Sequence, residues 1–301
     1  MRGVEPGSRS HPHNAPVPES TGTGGAEPQA ATTRGLVFLQ FRILGTIAVG
    51  IDGTFHAVPG LRQRCLLASL LIQAPAVVPV STLYSELWGE NPPATVENAL
   101  QAHVSRLRRT LVQLADGPAA DVLRTRASGY SLDVEPEDID LNRFRAYIRR
   151  SRRAMEGEDL PAAQELLEQG LGLWQGAPLG DAAVGPLCQS AATEWEEEYL
   201  SAREDAFWLR IRTGEPMRVV GELKRMSIAH PWRERITELL MVALYQCGRQ
   251  AEAVGVYNAA RLRLVDELGM EPSPKLRQLF RQMLNQDPGL HRSTALLRRT
   301  A

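Results

Sequence analysis

Gly214 and Gly248 stand 34 residues apart, and the residues after them repeat in kind: Val219 matches Ala253, Leu223 matches Tyr257 and Met226 matches Ala260. A turn glycine followed by small and large apolar positions at that period describes a pair of helices that cannot bury its apolar face alone. Such pairs must stack on their neighbours. From Asp140 the helical spacing of apolar residues runs almost to the end, which commits this half of the chain to an all-α stack. Aligning Gly157 with the two glycines puts Ala162 and Leu166 in the matching slots and predicts a third copy, set apart by the insert from Gln175 to Pro186. Trp174, Trp195, Trp208 and Trp232 are expected to plug this core, and the run Glu194, Glu196, Glu197 and Glu198 to form a solvated helix face. Residues 287–301 have no partner face, so 288–301 reads as a basic tail.

Before Asp140 the pattern changes. Residues 1–34 are rich in Pro, Gly, Ser, Thr and Ala without apolar periodicity and read as a disordered arm, in which His11 and His13 have no scaffold to hold a metal. Residues 37–58 alternate around Asp52-Gly53 and predict a small antiparallel sheet. Leu61 to Gln73 reads as a helix ended by Ala74-Pro75, and Ser81 to Gly89 as a shorter one with Ser81 at its N-cap. Thr95 then caps a longer helix whose stripe is Val96, Leu100, Val104, Leu107, Leu111 and Leu114. Residues 122–132 alternate and turn at Ser128-Gly129, a second hairpin. The domains expected are therefore 36–134 and 140–287, separable enough that a chain cut after Val134 should stay folded.

Composition narrows the function. The 34 basic residues include only two lysines, Lys224 and Lys275, and neither follows a glycine-rich stretch, so no Walker-type phosphate loop is present. Cys65, Cys188 and Cys247 are odd in number and widely spaced, the pattern of reduced core thiols. No apolar run approaches the ~18 residues of a membrane span, and the first residues lack the apolar centre of a secretory signal; the expected location is the cytoplasm, without membrane contact. No carboxylate pair, Ser/His/Asp set or Cys/His pair sits in a motif context, so neither enzyme activity, cofactor nor metal is expected. The formal charge of −1 gives no overall pull toward nucleic acid, but Arg106, Arg108, Arg109, Arg124 and Arg126 cluster in two short segments.

Those segments are the helix from Thr95 to Leu114 and the hairpin behind it. A helix fits the DNA major groove, where Arg pairs with guanine and Gln or Asn with adenine, while a hairpin can lie over the backbone or minor groove. Ser and Thr can satisfy phosphate oxygens. On pattern alone, a solvated polar face explains the same residues equally well. His103, beside the apolar stripe, can either pack on the sheet or touch phosphate.

The run Glu97-Asn98-Ala99-Leu100-Gln101-Ala102-His103-Val104-Ser105-Arg106-Leu107-Arg108-Arg109 resembles the recognition helix of OmpR-type winged-helix regulators, with Leu87-Trp88-Gly89 before it and Gly129-Tyr130 in the wing. Phe41-Arg42-Ile43-Leu44-Gly45 fits the opening sheet of the same domain. Asp140-Leu141-Asn142-Arg143-Phe144, Leu173-Trp174-Gln175-Gly176, His230-Pro231-Trp232-Arg233-Glu234-Arg235, the run from Leu240 to Ala253 and that from Asp266 to Pro274 resemble the bacterial transcriptional activation domain. Together, over roughly 36–287, they resemble the short form of the Streptomyces antibiotic regulatory protein family.

The resemblance implies an α+β winged helix followed by a tetratricopeptide-like all-α domain. It also implies an activator of secondary-metabolite (antibiotic) gene clusters, acting at the nucleoid. Its partners would be double-stranded promoter DNA, bound at direct repeats as a dimer, and RNA polymerase holoenzyme. By position in the helix it makes Arg106 the base reader, with Gln101 and Asn98 nearer the entering end as further readers. Ser105, Arg108, Arg109, Arg124, Thr125 and Arg126 would serve the backbone and wing. Control by an aspartyl receiver is not expected. The competing expectation is a helical-repeat scaffold for a peptide or protein, with a vestigial winged helix.

Overall fold

The computed structural model describes residues 39–115 and 122–292. The expected arm, with His11 and His13, and the tail beyond Arg292 lie outside the described residues. Strands β1 (Gln40–Arg42), β2 (Ala48–Ile51) and β3 (Thr54–Ala57) form an antiparallel sheet in chain order. Ile51 faces Thr54 across a two-residue turn in which Asp52 (φ 49°) and Gly53 (φ 81°) are both left-handed, the hairpin expected there. Helix α1 (Leu61–Gln73) is buried almost continuously from Cys65 to Leu71 and is the central post of this half.

Strand β4 (Val78–Pro79) leads straight into α2 (Val80–Trp88), followed by α3 (Val96–Ala115) and the hairpin β5 (Leu123–Arg126) and β6 (Gly129–Leu132). Two expectations shift by a residue or two here. Pro79 occupies the N-cap of α2, so Ser81 lies inside the first turn and is not the cap. The wing turn is Ala127-Ser128, because Arg126 pairs with Gly129. Gly129 serves a different need: β4 crosses β6 there, and a Cβ would sit 2.0 Å from the Val78 carbonyl oxygen. The two-residue strand β4, which makes the wing a sheet of order β4-β6-β5, is too short to show any alternation in sequence.

Helices α4 (Asp140–Glu156), α5 (Leu160–Leu171), α6 (Pro186–Arg212), α7 (Pro216–Ala229), α8 (Glu234–Gln246), α9 (Gln250–Leu268), α10 (Pro274–Leu284) and α11 (Gly289–Arg292) make up the second half. Gly214 (φ 85°) and Gly248 (φ 75°) turn α6 into α7 and α8 into α9, and Val219, Leu223, Ala253 and Tyr257 are buried in the stack as the period requires. The third copy is displaced by one residue from the expected alignment. Glu158 (φ 59°), not Gly157, is left-handed there. The hydrogen bonds Gly157 N–H to Arg153, Glu158 N–H to Met155 and Asp159 N–H to Ala154 repeat those of Thr213, Gly214 and Glu215. Ala163 and Leu167 therefore fill the slots assigned to Ala162 and Leu166, and both are fully buried.

The same turn occurs a fourth time at Gln286 (φ 51°). After it Leu290, placed in the basic tail by sequence, is buried, and its carbonyl accepts from Gln246 Nε2 at 3.1 Å. Trp195 and Trp208 are in the core and Trp174 packs against Phe144 and Tyr199, but Trp232 is 45% exposed in the turn between α7 and α8. The acidic run is zipped to arginines of the same chain, Glu194 and Glu198 to Arg145 and Glu197 to Arg233. None of the described helices is long and apolar enough to cross a membrane.

A single apolar core runs through both halves. Asp140, 5% exposed, accepts the backbone N–H groups of Ile43, Leu44 and Leu141 at 2.9–3.1 Å. In return, the Ile43 and Leu44 carbonyls accept from Leu179 and Gln175 at 2.7 and 2.8 Å. At the start of α6, the buried Glu86 carboxylate accepts from Leu187 N–H at 2.6 Å and Cys188 N–H at 3.2 Å. Arg64 pairs with Asp181, and the Cys65 thiol donates to the Ala182 carbonyl. Burial pushes the thiols of Cys65 and Cys188 up, Cys65 to about 11.

Burial also pushes the Asp140 carboxyl up to about 6, against the three N–H donors that pull it down. The folded chain therefore binds this proton below about pH 6, whereas an unfolded aspartate stays charged down to ~4. The folded state holds more protons over that interval, so this group favours folding increasingly as pH falls. Measured against an Asp140→Asn variant by urea denaturation, the native chain should gain roughly 1 kcal/mol between pH 7 and pH 5. An unchanged difference would place the carboxyl at its ordinary value.

Candidate nucleic-acid interface

The stripe Leu100, Val104, Leu107 and Leu111 faces the core, which turns the opposite side of α3 outward. Asn98, Gln101, Ala102, Ser105, Arg106 and Arg109 are all exposed there, and Asn98, Ala102, Ser105 and Arg109 form one row at helical spacing. Among the described residues neither Arg106 nor Arg109 has a hydrogen bond or ion pair, so both guanidiniums are available to a ligand.

Two side chains of α3 hold the helix in place. His103 Nδ1 lies 2.9 Å from Gln63 Nε2 of α1, and its ring packs against Trp88 with centroids 5.9 Å apart. Burial, then the charges of Arg106 and Arg62, lower its pKa, which disfavours the charged form that neutralising a phosphate would need. Of the two roles open to His103, the structure shows packing, against helices and not the sheet. Arg108 donates through Nε to the Leu123 carbonyl at 3.1 Å and through Nη2 to Thr125 Oγ1 at 2.7 Å. Arg108 and Thr125, both read as backbone contacts, are thus used to fasten the wing to α3.

In the wing, Arg126 donates to Ser131 Oγ at 3.0 Å and to the Asp133 carboxylate at 3.1 Å, and Arg124 reaches the same carboxylate at 3.4 Å. Both are about half exposed, and Asp133 offsets part of their charge. Sequence reasoning missed Arg62. It lies in a helix read as core, yet its guanidinium donates to the Leu87 carbonyl and sits 5.4 Å from the centre of the Trp88 ring. Only its position one turn before the buried stretch distinguishes it in sequence.

A three-helix core with a β-wing, presenting one polar helix face and joined to stacked helical pairs, defines a winged-helix transcriptional regulator. The comparisons agree. The family described as "Transcriptional regulatory protein, C terminal" matches residues 60–132, and the "Bacterial transcriptional activator domain" matches 139–284. Transcriptional regulator RedD of Streptomyces coelicolor is 40% identical over 264 residues, covering 86% of this chain and 74% of the relative. Regulatory protein DnrI of Streptomyces peucetius is 34% identical, covering 85% and 95%. The solved structure of Mycobacterium tuberculosis EmbR, in complex with a low affinity phosphopeptide, superposes with a TM-score of 0.79 at 31% identity, over 84% of this chain and 66% of that one. The chain belongs to the Streptomyces antibiotic regulatory protein family, whose members are transcriptional regulators and not enzymes.

Proposed function

We propose that this regulator activates an antibiotic biosynthetic gene cluster by binding direct repeats near its promoters as a dimer and recruiting RNA polymerase holoenzyme, working at the nucleoid in the cytoplasm. In this reading 36–134 engages DNA and 140–287 sets protomer spacing and meets polymerase. The observation that carries it is the exposed face of α3 with two unengaged arginines, Arg106 and Arg109, backed by a wing fastened at Thr125. A vestigial winged helix, which the scaffold reading needs, would have no use for that fastening. Footprinting on a promoter from the gene neighbourhood tests it. Two protections at a fixed spacing support the reading, and no protection overturns it.

In this reading Arg106 reads a base, with Gln101 and Asn98 beside it, and Ser105 and Arg109 meet phosphates. Arg106→Ala should lose ~1–3 kcal/mol of specific binding and relax preference at one position. Equal weakening on specific and random duplexes would remove Arg106 from base reading.

The salt dependence separates the remaining arginines. Arg109→Ala should flatten the slope of log affinity against log salt by about one unit, since each phosphate neutralised contributes ~0.9. Arg124 and Arg126, sharing Asp133, exchange one anionic partner for another and should each change the slope by less. Arg108→Ala should leave the slope nearly unchanged and loosen the wing. Anisotropy titrations from low to high salt check the order; equal effects of Arg108 and Arg109 would overturn it.

A further inference from the structure

Beside the outward face of α3 lies a crevice of about 920 Å³, bounded by the start of α1, the end of α2, α3 and the segment Val184-Gly185-Pro186 that leads into α6. A cavity of that size falls in the range of small-molecule sites. Its walls are mostly apolar, with Leu87 and Trp88 inside and Leu61 and Val184 at the rim, 44% and 53% exposed. Its ionic character is one-sided. Arg62, Arg106 and Arg109 line it, while Glu86, the lone carboxylate on the lining, is committed to the Leu187 and Cys188 N–H groups.

Gln63, 8% exposed, also lines the crevice, and its Nε2 is engaged with His103, so that the wall between α1 and α3 is held by a hydrogen bond. Apolar walls with guanidiniums at the mouth specify one kind of occupant.

We propose that the crevice is an effector site for a small, largely apolar organic anion. The apolar body packs on Trp88 and Leu87, and the acidic group pairs with the arginines. Because Arg106 and Arg109 serve both the crevice and the outward face of α3, an anion held there competes with DNA for them. The site stands apart from the DNA reading, whereas this coupling rests on it.

The test uses the full chain and anilinonaphthalene sulfonate, an amphipathic aromatic anion, followed by fluorescence. Saturation at one probe per chain is expected, with at least fivefold weaker binding of the uncharged N-phenylnaphthylamine. Val184→Trp and, separately, Leu61→Trp, each filling the rim from an exposed position, should weaken the probe at least tenfold with the circular dichroism spectrum unchanged. Trp232→Ser, removing a remote exposed aromatic, should have no effect. Binding without saturation, equal affinity for the neutral amine, or sensitivity to Trp232 instead of the rim overturns the site. Saturating probe should also weaken binding to a footprinted promoter duplex at least threefold. Saturable, rim-dependent probe binding with promoter affinity unmoved overturns the coupling. Absence of any promoter binding without probe instead fails the DNA reading.

Discussion

A chain ending at Val134 should lose cooperative folding, or fall by at least ~3 kcal/mol in stability, despite retaining every strand and helix of the winged helix. The cut removes the Asp140 carboxylate from the Ile43 and Leu44 N–H groups and removes Leu179 and Gln175 from their carbonyls. It also uncovers the face of α1 bearing Cys65 and Ser69, which packs on Ala182 and Cys188. Each hydrogen bond lost is worth ~0.5–1.5 kcal/mol, and newly exposed apolar surface adds ~25 cal/mol per Å², against a total that for most domains is only ~5–15 kcal/mol. Urea denaturation followed by circular dichroism decides it. A truncated chain with a sharp transition near the full-length midpoint would show that the seam contributes nothing and restore the expectation of a separable domain.

Glu86→Ala should cost roughly 3 kcal/mol, although the residue lies outside the outward face of α3. The carboxylate is 2% exposed and acts as the cap of a 27-residue helix from outside that helix, meeting its first free N–H donors. Gly185 permits this approach, since a Cβ there would lie 2.4 Å from Glu86 Oε2. Truncation strands two donors and leaves a void, whereas Glu86→Gln keeps an acceptor and should cost less than half as much. The comparison of both variants by chemical denaturation is the check; a Glu86→Ala loss under ~0.5 kcal/mol would mean that water takes over the capping.

Local signals with strong periodicity were legible in the sequence: the Asp52-Gly53 hairpin, α1 with its bounds, the stripe of α3 and the two glycine turns. Features set by distant partners were not. Gly157 looks like the turn glycine of its repeat, but hydrogen bonding puts the left-handed residue at Glu158, a choice visible only once the α4–α5 turn is closed. Arg108 and Arg109 are indistinguishable as adjacent arginines, and only the position of β5 assigns one to the wing and the other to solvent. Nothing local marks the buried carboxylates of Asp140 and Glu86, because the Ile43 and Leu44 N–H groups on the one and the Leu187 and Cys188 N–H groups on the other lie about a hundred residues away. The motifs that carry the family resemblance are largely such joints: Phe41 to Gly45 meets Asp140 and Gln175, and Glu234 accepts from the Ser273 N–H at 2.9 Å.

The Glu86 contact also bears on how the proposed dimer would sense the spacing between repeats. Since α2 is clasped to the first turn of α6, and Ile139 in the short connection pairs with Phe41, no slack tether separates the winged helix from the helical stack. If, as proposed, two molecules bind together and touch through their stacks, they would meet the duplex as a jig of fixed pitch, sensitive to rotational phase as well as to length. In the proposed arrangement an insertion of ~5 bp between repeats turns the second site to the opposite side of the duplex, while one of ~10 bp restores the side but stretches the span. A floppy linker would forgive the first change; a clasped pair forgives neither.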